Sequence, residues 1–71
     1  MLWFDGNRDT EFGARIERAS SFYSEKYGRQ PNLCLVNPRT IPQEAPGQVG
    51  PIKIGTSSAV LPDHFYIGVG E

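Results

Sequence analysis

The chain has one cysteine, Cys34, and one histidine, His64, in 71 residues. A single thiol excludes an internal disulfide, and so isolated a pair gives no cluster with metal-ligand spacing. No run approaches the ~20 apolar residues of a membrane span. Met1-Leu2-Trp3-Phe4 is too short for a signal-peptide core and is followed at once by Asp5. With no export signal and one cysteine, a cytoplasmic protein is expected. An excess of either charge is also missing, since seven basic and eight acidic residues leave a net charge of −1. Nucleic-acid modules carry a basic stripe, whereas Arg15, Arg18, Lys26 and Arg29 alternate with Glu11, Glu17 and Glu25. No glycine cluster forms a phosphate loop, because Gly47-Gln48-Val49-Gly50 and Gly68-Val69-Gly70 match neither nucleotide fingerprint. No cofactor is expected.

What remains has room for one domain, residues 1–71, with one core. A chain this small buries only about 60% of its unfolded surface and is marginally stable. With a disulfide excluded and no metal site expected, self-association or docking on a larger partner is the leading candidate staple, and the small net charge opposes it little.

Phe12, Ile16, Ala19, Tyr23 and Tyr27 trace one helical stripe, with Phe22 beside it. Arg15, Arg18, Ser21 and Glu25 fall largely on the other side. Asp9 or Thr10 is the expected N-cap. Gly28 suits the left-handed position past the last turn, and Pro31 follows. Leu33-Cys34-Leu35-Val36 is apolar without alternation, the pattern of a central strand covered on both sides. If Leu2-Trp3-Phe4 is also a strand, the helix is the crossover between the two, and they pair in parallel.

Residues 37–50 contain Pro38, Pro42, Pro46, Gly47 and Gly50, and should form an irregular loop pinned by Ile41 and Val49. Ile52-Lys53-Ile54 alternates as a strand, a bulge is expected at Gly55-Thr56-Ser57-Ser58, and Ala59-Val60-Leu61 is a candidate continuation. Phe65, Ile67 and Val69 alternate with Tyr66, Gly68 and Gly70, so a final strand should pair with the preceding one as a hairpin.

The fold class is therefore α+β, a single helix packed on a small mixed β-sheet of three to four strands, in the order β-α-β-β-β or β-α-β-β. One helix cannot cover both faces of a sheet whose central strand is apolar throughout. Either Cys34 and Val36 or Leu33 and Leu35 face away from it. The long loop, a second copy of the chain or another protein must cover that side. The leading function is a protein–protein interaction or self-assembly module, with Trp3, Phe4, Cys34, Val36 and Tyr66 as candidate interface residues and Trp3 as anchor.

The alternative is a small enzyme or ligand-binding domain using the 37–50 loop with His64, Ser57 and Lys53. A Cys34–His64 nucleophile–base pair belongs to that reading, but a cysteine inside an apolar strand is ordinarily an inert small hydrophobe. A nucleic-acid accessory protein is the third reading and requires Arg8, Arg15, Arg29 and Arg39 to gather on one face.

Overall fold

The computed structural model describes residues 1–70. Strand β1 (Leu2–Phe4) leads into helix α1 (Phe12–Tyr27), followed by β2 (Leu33–Val36), β3 (Gln48–Val49), β4 (Ile52–Thr56) and β5 (His64–Gly68). They form one five-stranded mixed sheet in the order β1-β5-β2-β4-β3, with the helix packed against it. The class is α+β as the sequence implies. The strand beyond the expected three to four is β3, two residues of the Pro/Gly-rich loop that turn through Gly50-Pro51 to pair antiparallel with β4.

The sheet is wired differently from the expectation in two places. Strands β1 and β2 run in the same direction, but β5 lies between them, antiparallel to each. The expected hairpin of the last two strands is absent, because β4 lies on the other side of β2 and is parallel to it. The 57–63 connection therefore crosses two strand spacings, roughly 10 Å. It does so as turns, with the Val60 N–H bonded to the Ser57 carbonyl, so Ala59-Val60-Leu61 does not resume a strand. Nor is there a bulge at Gly55, through which β4 runs in register with β2. A Cβ there would lie 2.9 Å from Leu35 Cδ2, so glycine gives the Leu35 side chain its space.

The helical stripe forms as its spacing implies. Phe12, Ile16, Ala19 and Tyr23 are buried against Cys34, Val36, Ile52, Phe65 and Ile67. Tyr27, at the stripe's end, is half exposed. Arg15, placed by periodicity on the outer side, is instead buried, because acceptors from Asp5 and Asp63 meet it at the shoulder of the stripe. The N-cap is Glu11 rather than Asp9 or Thr10, and no side chain caps the helix. The backbone N–H groups of Asp9 and Thr10 are held by Asn7 in a preceding turn, which displaces both residues from the cap position.

The C-terminus does match. Gly28 has φ +70°, and its N–H bonds the Ser24 carbonyl at 2.8 Å. A side chain at this φ costs about 1 kcal/mol. Gly28→Ala should lower the unfolding free energy by about that amount in urea titration, with an unchanged slope against denaturant. Loss below ~0.3 kcal/mol would contradict the cap.

The 37–47 segment folds onto the helix side of the sheet. Ile41, Ala45 and Val49 pack on the same core as the helix. Two layers of cover therefore share one face, while Leu2, Phe4 and Tyr66 are exposed on the other.

Candidate functional site

Strand parity decides which residues lie on the uncovered face. The register pairs Trp3 with Phe65, Phe65 with Val36, and Cys34 with both Ile67 and Ile54. These side chains share the helix-covered side, because directly paired residues point the same way. Leu2, Phe4, Leu33, Leu35, Lys53, His64 and Tyr66 project from the opposite side. Lys53 is exposed, and so are three large hydrophobic side chains: Leu2 at 58%, Phe4 at 62% and Tyr66 at 49% exposure. Leu33 and Leu35, on β2 at the far side of β5 from β1, are half-buried.

Of the candidate interface residues, Phe4 and Tyr66 lie on this bare face. Cys34 and Val36 do not, being completely buried under the helix, so Leu33 and Leu35 take the outward position. Trp3 also faces the helix side. Its ring stacks on Phe22 at 4.4 Å, and it packs against the core half-buried.

The bare face continues onto a free strand edge. Met1 and Ile67 exchange both backbone hydrogen bonds, at 2.7 and 2.8 Å, and the Asp5 N–H reaches the Asp63 carbonyl at 2.9 Å. The alternation of an antiparallel ladder then turns the backbone N–H and C=O groups of Leu2 and Phe4 outward. They are unprotected by a bulge, proline or lysine.

The residues of the ligand-binding reading do not converge. His64 stands at the start of β5, its Nδ1 2.9 Å from the Pro62 carbonyl and its ring 5.0 Å from that of Phe4. Ser57 lies at the same end of the sheet but beyond β4, where its hydroxyl accepts the Ala59 N–H. Lys53 is at the other end of the ladder, paired with Leu33. Cys34 and His64 project from opposite faces, so β-sheet separates the thiol from the imidazole.

Burial raises the Cys34 pKa to about 12. The thiol thus stays protonated in the folded state where an unfolded thiol, with a pKa near ~8.5, ionises. Unfolding releases that proton, so this group costs no stability below pH ~8 and erodes it as pH rises from ~9 towards 12. A thiol-specific reagent at pH 8 should label Cys34 only as fast as the protein unfolds, and at once in denaturant. Rapid labelling of the native protein would contradict this placement.

Sequence reasoning missed a second constellation at the N-terminal end of α1. A cleft of about 670 Å³ is bounded by the start of the helix, the 39–42 segment and the 62–63 turn. Arg8, Arg15 and Arg39 line it together with Asp63 and Glu11. Asp63 adopts φ +60°, and its N–H bonds Thr40 Oγ1 at 2.9 Å. Its carboxylate joins two guanidiniums, Oδ2 accepting from Arg8 Nη2 at 2.9 Å and Oδ1 from Arg15 Nη2 at 3.0 Å. Hydrogen bonds from Arg8 and then Arg15 hold the Asp63 carboxyl below the usual carboxylate range. Arg15 Nη2 also donates to the Asp5 carbonyl. The Asp5 carboxylate accepts from Arg18 Nη1 at 3.1 Å and from the Asn7 N–H at 3.0 Å. Three of the four arginines required by the nucleic-acid reading meet here. Arg29, beyond the far end of the 16-residue helix, does not join them.

No helix among the described residues is long and apolar enough to cross a membrane. No protein-family model matches the chain, and comparison with curated proteins and with solved structures found no match.

Proposed function

We propose that this domain acts by binding protein rather than by catalysis, and that its first partner is a second copy of itself. The observation that carries this reading is the uncovered apolar face of Leu2, Phe4, Leu33, Leu35 and Tyr66, opposite the helix and the long loop. A net charge of −1 gives two copies little mutual repulsion. The face is also continuous with the β1 edge, whose outward backbone groups can pair with another strand.

Size sets the strength. Strand spacing and rise give the face an area of roughly 300 Å². A standard interface needs about 800 Å² from each partner. Even with the β1 edge added, the contact belongs to the weak, exchanging class. Micromolar to millimolar dissociation is expected.

An NMR dilution series tests this. Amide shifts of Leu2, Phe4, Leu33, Leu35 and Tyr66 should move with concentration, while those on the outer side of α1, such as Glu17 and Ser21, stay fixed. Shifts unchanged at every residue would refute self-pairing through this face.

A further inference from the structure

We infer that the cleft at the start of α1 is a binding site for the phosphoryl group of a small phosphomonoester. This site is separate from the bare sheet face and independent of its role. Three arginines from three segments converge on one cleft in a chain with a slight negative charge. Against them the lining sets two carboxylates, Asp63 and Glu11, so positive charge is in excess there.

The buried member is the most telling. Arg15 is 5% exposed, and both its hydrogen bonds leave from Nη2. Its Nε is buried without a partner among the described residues. A guanidinium has five N–H donors in a planar fork suited to oxyanions. Nη1, by contrast, has no hydrogen-bond partner among the described residues and is not sealed from solvent as Nε is, so it is the donor of this buried group that an anion in the cleft can meet. Arg39 is exposed and forms no ion pair among the described residues.

The helix adds to this field. No side chain caps α1 and no acidic residue occupies its first turn, so the N–H groups of Phe12, Gly13 and Ala14 lack helical acceptors. They lie at the positive end of the helix dipole. A carboxylate, that of Asp63, already bridges Arg8 and Arg15. What remains is a set of donors in several directions, which suits a tetrahedral dianion better than a second planar carboxylate. Ile41, Pro42 and Pro62 supply an apolar wall beside them, and the volume exceeds that of a phosphate alone. The organic part of an ester fits against this wall.

Titration of the whole chain with inorganic phosphate, phenyl phosphate and acetate, followed by amide NMR in phosphate-free buffer, tests the inference. Saturable shifts at Phe12, Arg15, Thr40 and Asp63 are expected with both phosphates, tighter for the ester, and none with acetate. Phosphate and ester binding with equal affinity would assign the site to free phosphate and overturn the ester. Arg39→Ala, at an exposed position that the fold does not depend on, should weaken binding about tenfold. Arg29→Ala, beyond the other end of the helix, should leave it unchanged. Non-saturating shifts, equal losses in the two variants, or binding of an oligonucleotide without the monoester would each overturn the proposal.

Discussion

Replacing Phe65 by alanine is expected to cost about 4 kcal/mol, the largest single loss in the chain. Phe65 is completely buried in β5, between Trp3 on β1 and Val36 on β2. From the helix side, the Phe12 ring approaches to 6.1 Å and the Arg15 guanidinium to 5.0 Å. The deletion therefore opens a cavity where three strands and the helix meet, and close packing prevents its collapse. A domain of this length holds roughly 4–10 kcal/mol in total. The melting temperature should fall by roughly 15–30 °C, if the variant folds at all. Phe65→Leu keeps most of the volume and should lose less than ~1.5 kcal/mol. Melts of the two variants followed by circular dichroism decide it. A fall below ~5 °C for the alanine variant would mean that this junction is not the centre of the core.

Arg15→Met is the second large effect, about 3 kcal/mol. Methionine replaces the alkyl stem but leaves the Asp5 carbonyl without its donor and Asp63 with Arg8 alone. Arg8 is largely exposed, so its pair with Asp63 is screened and compensates little. The pH dependence supplies an internal control. Because the folded-state pKa of Asp63 is lowered, its contribution is present above the unfolded value near ~3.9 and fades as pH falls through the folded value. The difference between wild type and Arg15→Met should therefore hold through pH ~4 and narrow only as pH falls through the folded-state value of Asp63, which Arg8 keeps below the ordinary range even in the variant. A gap in urea titrations that stays constant down to a pH at which NMR shows the Asp63 carboxyl protonated in both folded proteins would show that the ion pair contributes nothing and that only packing was lost.

These two positions also show which parts of the structure were legible in sequence. The helix was readable because Phe12, Ile16, Ala19 and Tyr23 obey one local period and Gly28 ends it. Strand β2 was readable as central because all four of its residues are apolar, and it does have β5 and β4 as neighbours. The same uniformity hid its orientation, since shifting parity by one residue exchanges Cys34 and Val36 for Leu33 and Leu35 with no change in hydrophobicity. The place of β5 was equally hidden. Its alternation marks a strand but carries no information on whether it pairs with its neighbour in sequence or inserts between β1 and β2. Burial of Phe65 and Ile67 from both sides favours the inserted position.

Arg15 was misplaced because its burial depends on acceptors 10 and 48 residues away. No local pattern reports such contacts. For the same reason the cleft was invisible, as Arg8, Arg15, Arg39 and Asp63 are scattered along the chain. The shortage of cover, by contrast, could be argued from one helix and one doubly apolar strand. The folding of Ile41 and Ala45 onto the helix side leaves that shortage in place.

Sedimentation equilibrium from about 10 μM to about 1 mM, on wild type and on Tyr66→Lys, tests the account most directly. The wild-type mass should rise from 7.9 kDa towards roughly twice that value across the series, while Tyr66→Lys, which puts a charge in the middle of the bare face, stays at the lower mass with an unchanged circular dichroism spectrum. A wild-type mass of 7.9 kDa at every concentration would contradict self-pairing.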